Sequence, residues 1–469
     1  MLSRTRLIRS TLLVLTIFYS LIVCLHVFGV YSSDGAYYHQ FSSRPFSPKA
    51  LFTGQMHKPM VHQQTRKEDY RILRSLTNSM GFYNTIDAQN TGYKIMNPTI
   101  LELPRWNNIS HEFLIIARTP HISRKIKGKD YRLGRQDFGE YEHHCEEQPH
   151  IDRYIGPEDM KLFWTQTGEP LLIFTHQVKD DVLCQGQFII DTRAVVPELE
   201  TVLGQVAASS LPPIRFQYPK GLRRQPSVEG KLQSQHQRAK NWAPFQCPFS
   251  SNSEVLFMVE PGSPFRLTSN NSLVEPMIDN KDRHSFIKGP FPPGIPSSKT
   301  WHSSIARTCV HDAMLNEAHV HQSTPMLSLT LCNRGTCERS MRNTVVLGMV
   351  QRRYDRPAAP YTWYDRRMVV YEAVPPYRML SVSKKLTYHG EADGTYTWTG
   401  SVTYRSAKRF PPSNHGFLDD EVWLGFGVGD AAAGWLDIRA SELVVDHYLC
   451  RGSTKGRSIG MGGNGGLPS

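Results

Sequence analysis

Between about Asn97 and Cys450 the apolar residues come in runs of four to seven, often β-branched or aromatic, separated by Gly, Pro and Asn. Short runs closed by turn residues predict β-strands, because a helix would need a 3.6-residue period sustained over ten or more positions. That period is nearly absent; "VPELETVLGQVA", Val196 to Ala207, is the best exception. The runs fall into five groups, each with a polar head followed by a hairpin that ends in an apolar strand. They are "NPTILELP…EFLIIAR", "GPEDMKLFWTQTGEPLLIF", "KNWAPFQCPFSSNSEVLFMVE", "STPMLSLTLC…NTVVLGMVQRRY" and "LDDEVWLGFGVGDAAAGWLDI". The fold class predicted is all-β. Five hairpin-based sheets with their heads at one end predict a five-bladed β-propeller, with another all-β fold, a sandwich or barrel, as the alternative. Ligands of a propeller bind at the mouth of the axial channel, where the innermost strands and their loops converge.

The N-terminus adds a second feature. Residues 1–10, "MLSRTRLIRS", carry three arginines and no acid, and Thr11 to Tyr31 contains no charged residue other than His26. At ~1.5 Å per residue that stretch spans roughly 31 Å, about one bilayer core. It is longer than a signal-peptide core, and its exit, "VYSSDG", lacks the small-residue cleavage pattern. Residues 11–31 therefore read as a transmembrane signal anchor behind a cytosolic basic tail. The expected placement is a single-pass type II protein of the Golgi or endoplasmic reticulum membrane, with the bulk of the chain lumenal. Residues 32–96 read as stalk and lead-in, 97–450 as the propeller with a basic loop insertion at 209–240, and 451–469 as a disordered Gly-rich tail.

Composition narrows the partners. Hydrophobic residues at 39% and charged residues at 20% exclude a disordered chain. The net charge of +12 suits an anionic partner such as a membrane surface, a nucleic acid or a phosphorylated ligand. The basic residues form no long block and no aromatic-basic RNA motif, so nucleic acid is not an expected partner. Cys24 lies in the apolar stretch; the other seven cysteines allow up to three disulfides in an oxidising lumen, and Cys332 and Cys337 in "CNRGTC" are spaced to close a small loop. Asn108 and Asn270 head glycosylation sequons. No Asp-x-Asp, H-E-x-x-H, G-x-S-x-G or Walker pattern is present, so neither a metal nor another cofactor is expected.

One segment concentrates acid–base chemistry. In "IGPEDMKLFWTQTGEPLLIFTHQ", Glu158 and Asp159 stand at the head of a hairpin with Lys161 two residues on. Successive residues of a regular strand point to opposite faces, so both carboxylates cannot face one channel squarely if the strand stays regular. The pair either moves protons or is a surface pair opening a hairpin. Arg352 and Arg353 in "VQRRYDR" either bind a diphosphate or sit in a solvated turn.

"GPED" before an apolar hairpin resembles the Gly-x-Glu-Asp-Pro-Arg signature of the β-mannoside phosphorylases, which are five-bladed propellers. "KNWAPF" is similar to the Lys-Asn-Trp segment of their third blade, and "LGFGVGDAAAGWLDI" to their closing segment. Behind an N-terminal anchor, the same elements resemble the fungal β-1,2-mannosyltransferases. The resemblance covers roughly Asn97 to Leu443, as islands. It implies that Asp159 takes the proton-transfer role, that Glu158 binds a sugar hydroxyl or supports its loop, and that Asp430 contacts sugar. Asn241 would hydrogen-bond a hydroxyl, and Trp242 either stacks on a sugar face or packs in a blade core. Where the family has Pro-Arg this chain has Met160 and Lys161, a point charge in place of a rigid fork; Lys161 either holds a phosphate or fixes Asp159, or the site has changed its task. The function expected is transfer of mannose, without a metal, from a nucleotide-sugar donor such as GDP-mannose to a glycan acceptor. The alternatives are a non-catalytic carbohydrate-binding propeller and a lumenal β-mannoside phosphorylase or glycosidase.

Overall fold

The computed structural model describes residues 70–87, 94–104, 112–118, 123–126, 129–132, 157–177, 185–206, 211–224, 240–250, 254–267, 273–277, 320–355, 362–392, 396–405 and 414–450. The stretch at 11–31, the tail at 451–469 and the sequons at Asn108 and Asn270 lie outside these residues. No helix of the described residues is long and apolar enough to cross a membrane. The expected placement as a single-pass type II protein of the Golgi or endoplasmic reticulum membrane is therefore not retained, since no such anchor is seen among the described residues.

The described residues are mostly β-strand, as an all-β protein requires. In chain order, Met96–Glu102 pairs antiparallel with Phe113–Arg118. Glu158–Trp164, Pro170–Gln177 and Gln185–Asp191 form an antiparallel meander. Ala243–Phe245, Leu256–Glu260 and Ser263–Leu267 form a second, and Leu327–Thr330, Thr344–Asp355 and Thr362–Glu372 a third. Thr397–Arg405, Glu421–Val428 and Ala432–Arg439 form the last. Among the described residues one α-helix, Pro197–Val206, follows the first meander, on the segment with the helical period. Two segments do more than the sequence pattern predicts. Lys220–Arg224, inside the basic insertion, pairs antiparallel with Gln185–Asp191 and parallel with Leu273–Pro276, and so ties the first meander to the second. Tyr70–Leu73 and Asn84–Ile86, in the lead-in, pair with Lys385–Tyr388 and Ala432–Arg439.

Burial explains the run-like pattern. The first eight residues of Thr397–Arg405 and six consecutive residues of Glu421–Val428 are buried. Strands covered on both faces need apolar side chains at successive positions, not at alternate ones. Each strand group shares a core with the next. Leu101 and Ile116 pack with Leu162, Phe174 and Ile190; Phe163 and Ile173 pack with Trp242 and Phe257. Phe245 and Met258 pack with Met326, Val346 and Tyr371; Leu329 and Leu347 pack with Val402, Leu424 and Ile438. The last group returns to the first: Ile100 packs with Trp423 and Trp435, whose rings stack at 4.1 Å. Cys332 and Cys337 are joined by a disulfide, Cys450 is also disulfide-bonded, and Cys247 is a free thiol.

Hydrogen bonds join neighbouring groups at five places. Thr99 Oγ1 accepts from Leu162 N at 2.8 Å, and Gln187 Oε1 accepts from Trp242 N at 3.2 Å. Met326 N donates to Pro244 O at 3.0 Å. Gln351 Oε1 accepts from Thr399 N at 2.7 Å while its amide donates to Thr397 O at 3.1 Å. Ser401 Oγ accepts from Ile100 N at 2.9 Å and donates to Ile100 O at 3.2 Å. At four of the five places a Thr, Gln or Ser side chain satisfies backbone groups that would otherwise be buried unpaired; at the fifth the bond runs backbone to backbone. Ser401→Ala strands the Ile100 amide and is expected to cost ~1–3 kcal/mol; a melting temperature unchanged from wild type would show that the latch carries no weight.

Candidate functional site

Three polar strand heads and one hairpin turn share a backbone device. Asn97, Asp159, Asn241 and Asp430 have φ of 50°, 48°, 63° and 48°. Asn and Asp are the non-glycine residues that tolerate this left-handed region best. Two of the four sit in matching bulges: the pairing of Met96–Glu102 shifts register between Met96 and Thr99, and that of Glu158–Trp164 between Glu158 and Lys161. The bulge answers the face problem posed by the Glu-Asp pair. With the strand no longer regular, both carboxylates turn to one cation, Lys240, which lies 3.3 Å from Glu158 Oε2 and 2.9 Å from Asp159 Oδ2.

From this centre the polar contacts run outward on both sides. Arg118, opposite Met96 in register, reaches Glu158 Oε1 at 3.5 Å. Lys161 is fully buried and donates to Asp159 O at 3.2 Å. On the other side Tyr364 lies within electrostatic range of Asp159 and is hydrogen-bonded to Tyr396, which in turn feels both Asp159 and Asp430. Asp430, exposed at the rim, accepts from Asn97 Nδ2 at 3.1 Å. Gly427 makes room for that contact, since any Cβ there would collide with Asn97 Oδ1. Among the described residues no set of His, Cys, Asp and Glu side chains gathers as metal ligands.

The charges determine each other. Burial raises the Asp159 carboxyl, but Lys240, Lys161 and Arg118 outweigh it and hold the group below the usual carboxylate range. Burial likewise opposes a charged Lys240, yet Asp159 and Glu158 raise its amine above the ordinary lysine value. Lys161 has less help: burial, with Lys240 adding repulsion, pulls its amine down to about 8 against the attraction of Asp159. At neutral pH the site therefore holds an ionised Asp159 facing a firmly protonated Lys240.

No family model matches the chain, and no curated protein matches it. Among solved structures it is similar to a glycosyl hydrolase from Bacteroides ovatus, at 10% identity and a TM-score of 0.36, over 81% of this chain and 96% of that one. It is also similar to MPT-1, a GDP-Man-dependent mannosyltransferase from Leishmania mexicana, at 11% identity and a TM-score of 0.30, over 80% and 90%. At such scores neither similarity bears on the chemistry of this site.

Of the residues singled out in the sequence, Asp159, Glu158, Lys161 and Asp430 come together here. Asn241 adjoins Lys240; it is 4% exposed, and its buried Oδ1 has no hydrogen-bond partner. Two others are buried. Trp242 is 0% exposed and packs against Phe257 in the core, so its ring presents no face to a sugar. Arg352 is 1% exposed and pairs in a strand opposite Asp365, which takes it out of any solvated turn; the neighbouring residue, Arg353, is exposed and stands opposite Tyr364 in register. Sequence reasoning missed Lys240, Arg118, Tyr364, Tyr396 and Asn97. Lys240 was legible as the residue before "NW", but it is also the last residue of the basic insertion and reads as one more surface charge.

The Lys161 amine gives a pH test. Its folded-state value near 8 lies below the unfolded lysine value, so between the two the unfolded chain binds more protons and stability rises with pH. From pH 7 to 10 the wild type is expected to gain ~1–3 kcal/mol relative to Lys161→Met. Parallel denaturation curves with a pH-independent difference would contradict a buried, depressed amine.

Proposed function

We propose that the chain is a carbohydrate-active enzyme that transfers a mannosyl group from a nucleotide sugar such as GDP-mannose to the hydroxyl of a glycan acceptor. We propose further that its strand groups close into a five-bladed β-propeller with the site at one end of the axis. Support for the closure comes from the five shared cores and five lateral hydrogen bonds, the last of which returns to the first group. Support for the carbohydrate reading comes from the order of the "GPED", "KNW" and "GFGVGD" segments, whose polar residues meet in space apart from Trp242.

The observation that carries the transfer reading is the ionised state of Asp159 beside Lys240. A glycosidase or phosphorylase needs a carboxylic acid to protonate the leaving oxygen. A carboxyl held below its usual range carries no proton to donate at neutral pH; as a carboxylate it is a weak base, but one with a free lone pair to accept a proton. In transfer, the acceptor hydroxyl oxygen attacks the anomeric carbon, the bond to the diphosphate breaks, and the hydroxyl proton passes to Asp159. The departing nucleoside diphosphate is a stable anion and needs no proton. Lys240 stands where it can pair with that anion; as it does so, its grip on Asp159 loosens and the carboxylate becomes a stronger base. Glu158 keeps Lys240 in place and offers an acceptor for a sugar hydroxyl.

Asp159→Asn keeps the volume and removes the base, and is expected to lower transfer from GDP-mannose to a mannoside acceptor by ~10²–10⁴-fold with little change in melting temperature. Unchanged turnover in a folded Asp159→Asn protein would remove the catalytic assignment. Absence of turnover in the wild type with mannoside binding intact would favour a non-catalytic binding protein.

A further inference from the structure

The third meander and the last strand group meet at a second place besides the Gln351 contacts. His415–Phe417, between Thr397–Arg405 and Glu421–Val428 in the chain, leaves the last group and pairs parallel with Leu327–Thr330 of the third meander. Ser328 N donates to Asn414 O at 2.8 Å, and Leu418 N donates to Cys332 O at 3.0 Å. Tyr404 Oη donates to Ser328 O at 2.9 Å, and its ring lies so close over Gly416 that a Cβ there would collide with it. The crossing strand is only three residues long, so its few ladder bonds need support from side chains.

His415 gives that support. Its Nδ1 lies 2.8 Å from Ser328 Oγ and its Nε2 3.3 Å from Thr330 Oγ1, so both ring nitrogens are engaged by the neighbouring group. Thr330 Oγ1 lies in turn 3.0 Å from Thr344 Oγ1. A neutral imidazole donates through one nitrogen and accepts through the other. Ser328 Oγ, which also donates to Asn414 O at 3.3 Å, is free to accept from Nδ1–H, while Thr330 donates to Nε2. A charged ring has two donors and no acceptor, so the Thr330 hydroxyl would have to turn away.

The surrounding charges do not welcome that cation. Arg334, in the loop closed by Cys332 and Cys337, and Arg339 just beyond it both act on the ring with like charge. Asp420 acts in the opposite sense, but it already accepts from Arg334 Nε at 3.2 Å and from Phe417 N at 2.7 Å. The neighbouring turn Ala440–Leu443, joined through Ser441 N to Leu418 O, carries Glu442, which is paired with Arg71; Arg439 before it donates to Asp419 O. Burial holds the Tyr404 hydroxyl well above its usual range, so that side chain stays neutral. Burial first, then the two arginines, bring the His415 ring down to about 4.

We infer that His415 is an acid-sensitive clasp: neutral, it holds the last strand group to the third meander, and protonated, it releases His415–Phe417 from Leu327–Thr330 and loosens that junction. The ring is charged more readily in the open state than in the closed one. Its contribution is therefore complete above about pH 6.5 and is lost as pH falls towards 4. The junction it controls is one of the five on which closure of the strand groups rests, whatever ligand the protein takes.

Hydrogen exchange of the full-length protein at pH 7 and pH 5, corrected for intrinsic rates, tests the clasp in wild type and His415→Gln, with a melting curve of each at pH 7. The reporters are the Ser328 and Leu418 amides. Their protection in wild type is expected to fall about twentyfold between the two pH values. His415→Gln keeps a donor and an acceptor but takes up no proton in this range, and should lose about threefold or less. Other histidines that titrate, His447 among them, act on both proteins alike. An equal loss at Ser328 and Leu418 in the two proteins overturns the clasp. If His415→Gln does not fold, Arg339→Glu replaces a repelling charge by an attracting one and should reduce the loss to about tenfold or less; a loss as large as that of wild type would then overturn it.

Discussion

The Lys240 ammonium between Glu158 and Asp159 is the contact on which the site depends. Two adjacent carboxylates turned to one side repel each other, and at ~4 Å in a setting of effective dielectric ~20 that amounts to about 4 kcal/mol. Lys240, with Lys161 and Arg118, offsets that repulsion and holds the Asp159 carboxyl below its usual range. Lys240 belongs to a different strand group, so the pairing requires those two groups to be held in fixed register. The Trp242 amide on Gln187, two residues from Lys240, supplies that constraint. The core position of Trp242 then acquires a functional sense: its ring anchors the backbone from which Lys240 reaches across.

The left-handed residues at the strand heads do comparable work for the side chains. Each such residue costs of order 1 kcal/mol in an L-amino acid, and the cost is tolerated because bulges and tight glycine contacts leave the chain no alternative. Gly427 is the clearest case, since its bare Cα admits the Asn97 side chain that then holds Asp430. The chemically useful groups are thus mounted on ends of buried strands and not on long loops, which limits their freedom before any ligand arrives.

Much of the fold was legible in the sequence because burial on both faces writes itself as short apolar runs, and turn residues punctuate them. Asp159 and Asp430 were legible for a related reason: a polar residue at the head of such a run, or in the turn between two, is conspicuous. Three features were not. The bulge that turns Glu158 and Asp159 to one side violates strand alternation and leaves no mark in the hydrophobic pattern. Arg352 reads as a polar surface residue, and only the register with Asp365 reveals it as buried. Tyr364, in a strand, and Tyr396, just before one, are ordinary tyrosines until the packing of two separate groups brings their rings together.

In the proposed function, donor and acceptor meet at an ionised Asp159 beside Lys240. The most direct measurement is an experimental structure of the protein soaked with GDP-mannose and β-1,2-mannobiose. The expected result is density for the diphosphate beside Lys240, with a sugar hydroxyl within hydrogen-bond distance of Asp159. Well-ordered ligand bound elsewhere, with the Asp159–Lys240 pair undisturbed, would contradict it.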